Sequence, residues 1–464
     1  MRAMSAAVRV SPWVLFAAPA ACLVSFVVGM AWGHRSPLPD PQRTALQVVH
    51  QEIERSYVEA IDPRELLDRA IGAMARLDDY SEYVPPSRVA RFVEETTGTY
   101  EGVGVEPYFA DDGVFVRIPF PGGPADRAGL LPGDRIDAID DTAIATLSAQ
   151  ERARITGERL RGPADSTVRL RVHRSGEDRT IEVARGAVQK PSVKWQQFLP
   201  GADGLGYAYL AAFHPGCSKE LEAALAELAR APSGLRALVF DLRGDGGGNL
   251  DECVAIARLF LKTGNIVTLR RRGSEVVESF DANGKSPYAD LPLVLLVDAQ
   301  TASASEVLAG ALQDHHRAAI VGVETYGKGV VNTVFQWQNL DFRLKLTTAH
   351  YYTPSGRNLE RDRKRHLNGD ANGDSVQPPG GITPDRVVAL DDGRRAAVQQ
   401  ALAGQPFAER HRDALAAWSG PRGLRLPGIV PPADDPQLAA AIEAAQARMA
   451  AAAGAGTGAT TSRK

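Results

Sequence analysis

Leu238-Val239-Phe240-Asp241-Leu242-Arg243-Gly244-Asp245-Gly246-Gly247-Gly248 is an apolar run that breaks off at a charged pair and a glycine turn. A short continuous apolar run closed by glycine predicts a strand buried on both faces. A helical stretch follows it from Leu250 to Leu261, and the same rhythm then repeats. Leu293 to Val297 reads as the next strand, Ser303 to Leu312 as the next helix, and Ala319 to Val323 as another strand. Apolar runs alternating with amphipathic helices predict a parallel sheet covered by helices, an α/β core that begins near Gly204. Such sheets place their sites at the carboxyl ends of the strands. Two polar turns fall there, Thr301-Ala302-Ser303-Ala304-Ser305-Glu306 and Tyr326-Gly327-Lys328-Gly329.

Upstream of the core the periodicity is that of strands and turns. Gly102-Val103-Gly104-Val105 leads into a strand, and Val114, Val116 and Ile118 alternate as in a half-buried one. Gly123-Pro124-Ala125-Asp126-Arg127-Ala128-Gly129-Leu130 follows, then Pro132-Gly133-Asp134-Arg135-Ile136, and strands at Val168–Val172 and Ile181–Val183. Together these resemble a PDZ domain over residues 98–186. The resemblance makes Gly102, Val103, Gly104 and Val105 its carboxylate-binding loop. The physics suits that role, because glycines let backbone N–H groups turn towards one anion and the next strand edge accepts a peptide as an added strand. Residues 40–97 carry a helical pattern, with Leu46, Val49, Ile53 and Tyr57 at helical spacing, and Leu66, Leu67 and Ile71 facing inward behind Asp62-Pro63.

Ser303 sits where a strand gives way to a helix. Its hydroxyl can project from the helix N-terminus while the Ala304 N–H points at an oxyanion, or it can simply cap the helix with Glu306 completing a capping box. Lys328 bears on that choice. A serine needs a base to take its proton, and no histidine lies in a matching turn, since His315 and His316 end the helix that Ser303 opens. A lysine serves as base if burial lowers its pKa from about 10.4 to about 8, at a cost of roughly 3 kcal/mol. Gly322-Val323-Glu324-Thr325-Tyr326-Gly327-Lys328 also fits a P-loop string, but Gly329 stands where Ser or Thr would hold magnesium, and strand-like residues follow in place of a helix. No His/Cys spacing of a metal site occurs, and no cofactor is implied.

These motifs are shared with the C-terminal processing, or tail-specific, peptidases of serine peptidase family S41, which the chain resembles from about residue 45 to 390. The matching runs are Asp241-Leu242-Arg243 with Gly246-Gly247-Gly248, Ser303-Ala304-Ser305-Glu306, Ala309-Gly310-Ala311-Leu312-Gln313-Asp314, Gly327-Lys328-Gly329, Leu346-Thr347-Thr348-Ala349, Tyr351-Tyr352-Thr353-Pro354-Ser355-Gly356-Arg357 and Gly381-Ile382-Thr383-Pro384-Asp385. The resemblance implies a ClpP/crotonase-like core of parallel sheet and helices over 187–395, with an inserted PDZ domain and an N-terminal helical region. It implies Ser303 as nucleophile, Lys328 as base, and Ala304 with Gly247 as oxyanion donors. Gly248 is the second candidate, because the family's Asn-Pro-Gly-Gly reads Asp245-Gly246-Gly247-Gly248 here. Asn332 stands where the family has a glutamine that orients the lysine, one methylene shorter. The activity implied is endopeptidase action on envelope or periplasmic proteins with accessible C-termini; a catalytically impaired PDZ adaptor is the alternative. A homodimer through the N-terminal helices and an envelope adaptor are the partners it allows. Arg161, before Gly162-Pro163, is placed either as a contact linking the PDZ domain to the rest or as a plain surface residue.

The remaining features set bounds. At 464 residues the chain is too long for one core, and a net charge of −3 gives no basic surface for nucleic acid. Arg2 and Arg9 precede a charge-free apolar run from Trp13 to Trp32, read as a signal peptide or membrane anchor within residues 1–35, which places the protein in the periplasm. Cys22 follows Pro19-Ala20-Ala21, a poor lipidation signal. Cys217 and Cys253 can pair or stand as buried small side chains. The Arg361 to Arg365 run reads as a solvated loop. Residues 396–464 read as a helical or disordered tail, disordered beyond Met449.

Overall fold

The computed structural model describes residues 40–200, 203–361 and 380–458, which fall into two compact units. The expected signal or anchor lies outside the described residues. Among those described, no helix is long and apolar enough to cross a membrane.

The first unit holds residues 40–92 and 331–348. Its helices are Asp40–Ser56 and Pro63–Ala75, the second begun by Pro63 and capped by the Asp62 carboxylate, which accepts the Arg64 N–H at 2.9 Å. Strand Glu82–Val84 pairs antiparallel with Arg343–Lys345, and Tyr83 packs against Phe342. The inward faces expected for the helices are only partly so. Ile53, Leu66 and Ile71 are half-buried, whereas Leu46, Val49, Tyr57 and Leu67 are each at least half exposed. Two short helices in a single chain lack a second layer to cover that stripe.

The second unit holds residues 93–330 and 349–458. Within it, strands Thr99–Gly102 and Gly186–Gln189 pair antiparallel and so bring together the entry and exit of the PDZ domain. Between them lies an antiparallel sheet in the order Val105–Ala110, Gly113–Pro119, Arg135–Ile139, Thr167–Arg174, Glu177–Ala184. Thr167–Arg174 alternates as period-two patterning requires, with Val168, Leu170 and Val172 buried and the residues between them exposed. Gly113–Pro119 departs from the half-buried expectation, with six of its seven residues buried. The reason is a distant segment: Leu415 and Trp418 pack on Phe115, Ile118 and Phe120, covering the face that alternation leaves to solvent.

The core sheet runs in the order Val193–Phe198, Leu205–Leu210, Ala237–Asp241, Leu293–Val297, Ala318–Gly322, Arg386–Val387. The first pair is antiparallel and the rest are parallel, so the sheet is mixed. Every residue of its second, third and fourth strands is buried, as continuous apolar runs demand. One face carries helix Pro436–Gly458, whose Leu438, Ala441 and Ala445 pack against Val239, Val294, Leu296 and Val321. The tail expected to be disordered beyond Met449 is therefore helical to Gly458. Its alanines favour the helix and let it approach the sheet closely.

Candidate active site

Three neighbouring parallel strands, Ala237–Asp241, Leu293–Val297 and Ala318–Gly322, end on the same edge and deliver the glycine turn, the serine turn and the lysine turn side by side. Ser303 immediately precedes helix Ala304–Asp314 and has φ +57° and ψ −119°, a region costly for a residue with a Cβ. A strain on the order of 1–3 kcal/mol persists only where the surroundings impose it. Here Ala302 N–H donates to the Asp245 carbonyl at 3.0 Å, Val307 N–H to the Ser303 carbonyl at 2.9 Å, and Ser303 N–H to the Glu306 carboxylate at 2.8 Å. The serine is 7% exposed, and Tyr351 is buried beneath the same site. Burial pushes Tyr351 well above the usual tyrosine range, so it remains a neutral phenol.

Glu306 joins the serine turn to the lysine turn. Its Oε2 accepts the N–H groups of both Ser303 and Lys328 at 2.8 Å, although 25 positions separate them in sequence. Its Oε1 accepts the Thr325 hydroxyl at 2.5 Å and Gly327 N–H at 2.7 Å. The carboxyl is fully buried, and burial pushes its pKa up against the pull of these four donors. Three backbone N–H groups and the Thr325 hydroxyl favour the carboxylate, and burial works against it. Thr325 is fixed in turn by Ile382, whose N–H donates to the Thr325 hydroxyl at 2.7 Å. Arg361 donates to the Thr325 and Gly380 carbonyls at 3.1 and 3.0 Å. This corrects the solvated-loop expectation for Arg361, which is 7% exposed because carbonyls of the lysine turn need its donors; residues 362–365 lie outside the described residues.

The glycine turn faces the serine. A Cβ on Gly247 would lie 2.7 Å from the Ala302 carbonyl oxygen and 2.8 Å from the Ala304 nitrogen, and one on Gly248 would lie 2.5 Å from the Phe213 carbonyl oxygen. With φ of +93° and +149°, both positions require glycine. Gly247 N–H donates to the Asp245 carboxyl at 2.8 Å. Phe213 donates to the Gly247 carbonyl and accepts from Asn249 N–H, so the alternation of that ladder turns the Gly248 N–H away from Phe213. Among the described residues neither the Gly248 nor the Ala304 N–H has a hydrogen-bond acceptor.

Beneath the glycine turn, Arg243 forks onto Asp241 at 2.6–3.0 Å and reaches Asp435 and Gln437 at the start of the last helix at 3.1 Å, while the Tyr207 hydroxyl donates to Asp241 at 2.7 Å. The Asp-Leu-Arg run is thus a buried ionic tie between the sheet and the last helix. Cys217 and Cys253 are free and buried, and the Cys253 thiol donates to the Ala304 carbonyl at 3.2 Å. Asn332 belongs to the first unit, where its amide donates to the Thr347 hydroxyl at 3.1 Å. Among the described residues, Asp137, His173 and Asp178 lie close enough to share a metal ion, but they sit on the PDZ sheet and not at the strand ends that carry Ser303.

In the PDZ domain, Val103 and Val105 bury their side chains, and Val103 N–H donates to the Leu160 carbonyl at 3.0 Å. Strand Val105–Ala110 is the edge of its sheet, and the Phe120 N–H bond to the Gly104 carbonyl sets a ladder phase that points the Val105 N–H at the open side. Arg161 makes the linking contact. It pairs with Glu94 of helix Pro86–Thr97 at 3.1 Å, with Lys190 on the same carboxylate at 3.0 Å. Burial works to raise the Glu94 pKa, but Lys190 and Arg161 hold it below the usual range.

Comparison with known proteins gives the family. Residues 204–387 match the description "Peptidase family S41" and residues 101–184 the description "PDZ domain". A carboxy-terminal-processing protease of Bartonella bacilliformis is 33% identical over 318 residues, 67% of this chain and 71% of that one. The chain belongs to peptidase family S41, among its C-terminal processing peptidases. A chloroplastic C-terminal processing peptidase of Tetradesmus obliquus is 35% identical over 308 residues, 62% of this chain and 64% of that one. A solved photosystem II D1 C-terminal processing protease is 29% identical, covering 76% of this chain and 94% of its own, with a TM-score of 0.42. The core is an S41 peptidase fold with a PDZ domain and mixed sheets.

The sequence motifs single out Ser303, Lys328 and Ala304, and the fold brings their turns to the same edge of the core sheet. Sequence reasoning saw Glu306 only as a helix cap and gave Tyr351 and Asp245 no role, because their partners lie on turns far away in sequence. The one available signal was Glu306 itself, a charge in a helix whose other residues from Ala304 to Leu312 are all apolar, small or glycine.

Proposed function

We propose that the protein is a serine endopeptidase that cuts exported proteins chosen by their C-terminal tails. Ser303 Oγ attacks the peptide carbonyl while Lys328 takes its proton. The tetrahedral oxyanion sits between the N–H groups of Ala304 and Gly248, at the positive end of helix Ala304–Asp314. Lys328 then gives the proton to the leaving amine, and water releases the acyl group by the same steps. Gly248 replaces Gly247 as the second donor because the Gly247 N–H is engaged by Asp245. Residues 1–35 export the chain. The core is of the ClpP/crotonase type. The observation that carries the reading is the Glu306 oxygen shared by Ser303 and Lys328, which supports a pair built to act together. The loop Gly102–Val105 and the open edge after it take the substrate's terminal carboxylate and last residues. The deciding experiment compares wild type with Ser303→Ala on an unfolded protein substrate. Wild type cleaves and the variant, equally folded, does not; equal cleavage removes Ser303 from the mechanism.

A further inference from the structure

Asp245 is fully buried between the glycine turn and the serine turn. Its carbonyl accepts Ala302 N–H at 3.0 Å and the Ser305 hydroxyl at 3.1 Å, and its Oδ1 accepts Gly247 N–H at 2.8 Å. One residue therefore fixes the spacing of the two turns that supply the oxyanion donors. Its Oδ2 has no partner among the described residues. The titratable groups that face it are Asp298 after strand Leu293–Val297, Tyr209 on the second core strand, Cys217 on helix Cys217–Arg230 and Cys253 on helix Leu250–Phe260. None of them is a cation. A bare carboxylate here would have an orphan oxygen and no cation among these facing groups. It would also add negative charge close to the oxyanion that forms during attack, in an interior where like charges repel strongly.

We propose that Asp245 is a positioning residue that holds the oxyanion turn as a neutral carboxylic acid, and that its ionisation shuts the enzyme off on the alkaline side. This rests on the peptidase reading above. Burial lifts the Asp245 pKa to about 8, against the pull of the Gly247 N–H, and the Asp298 charge adds to the rise. An amide at this position keeps the acceptor for Gly247 and cannot ionise.

The test measures kcat and KM from about pH 6 to about pH 10, together with the thermal unfolding midpoint, for wild type and Asp245→Asn. Wild-type kcat should fall up to tenfold per pH unit above about pH 8, with KM steady, and Asp245→Asn should lack that fall. The unfolding midpoint reads the same group without catalysis. A folded-state pKa above the unfolded value gives stability that is full below the unfolded pKa, about 3.9, and lost as pH rises through the folded one. The wild-type midpoint should therefore drop relative to Asp245→Asn between about pH 4 and pH 8. Asp298→Asn supplies a second variant. Removing that charge lowers the Asp245 pKa, so the alkaline limb should move to lower pH. An Asp245→Asn profile that falls as wild type does, a flat midpoint difference, or an Asp298→Asn limb that stays in place overturns the proposal. Absence of cleavage by wild type and Ser303→Ala alike fails the peptidase reading instead, and the midpoint still reports on Asp245.

Discussion

Replacing Glu306 by glutamine should cost both stability and activity, and the structure sets the size. The carboxylate accepts four donors, two on each oxygen. Glutamine offers one oxygen. If its nitrogen faces Ser303 and Lys328, two buried N–H groups lose their acceptor. If it faces Thr325 and Gly327, the threonine oxygen can accept from the new amide, but the Gly327 N–H and the Thr325 hydroxyl proton are stranded. Either way about two buried donors go unsatisfied, at about 1–3 kcal/mol each, giving a loss of about 2–6 kcal/mol. Denaturant unfolding measures this as a fall in midpoint at constant slope. The same change loosens the backbone at Ser303 and Lys328, and a shift near 1 Å in a catalytic group costs on the order of 100-fold in rate. A purified Glu306→Gln protein with stability within about 0.5 kcal/mol of wild type and unchanged kcat would refute the claim that this carboxylate joins the two turns.

Lys328→Arg should be as inactive as Lys328→Ala, because arginine keeps its proton and cannot act as base; single-turnover cleavage of an unfolded protein reads it, and an active arginine variant points to another base. Gly248→Ala should abolish cleavage, since its Cβ would meet the Phe213 carbonyl oxygen at 2.5 Å and the turn must move; full activity means that the Gly248 N–H is not a donor. Arg243→Leu should destabilise by about 3–5 kcal/mol in denaturant unfolding, because Asp241 and Asp435 are left buried without a counter-charge, and an unchanged midpoint removes the ionic tie from the account. A substrate with a free apolar C-terminus should be cut faster than its amidated twin, and equal rates end the case for selection by the PDZ loop.

Local patterning carried most of the architecture. Buried strands such as Leu293–Val297 announce themselves because both faces are covered and every residue must be apolar. Ser303 and Lys328 stood out because each lies in a short turn that directly follows a buried strand run. The parts that local patterning missed share one property: their structure is set by residues remote in sequence. Gly113–Pro119 was read as half-buried because nothing near it encodes Trp418, almost 300 positions later. The end of the last helix, beyond Met449, was read as disordered because a run of alanines has no apolar stripe of its own, yet against a flat sheet small side chains pack closely. Arg361 looked like one of a run of surface charges, and its burial depends on carbonyls of residues 325 and 380. Ionisable side chains in the core follow the same rule. Glu306, Asp245 and Arg243 are each a poor choice for a buried position when judged alone, and each bridges turns or elements that the chain brings together only on folding. A buried charge predicted from sequence as a cap, a turn residue or a strand terminus is therefore the place to look for a long-range tie. In this protein those ties converge on Ser303, because a residue held at φ +57° needs restraint from more than its own helix.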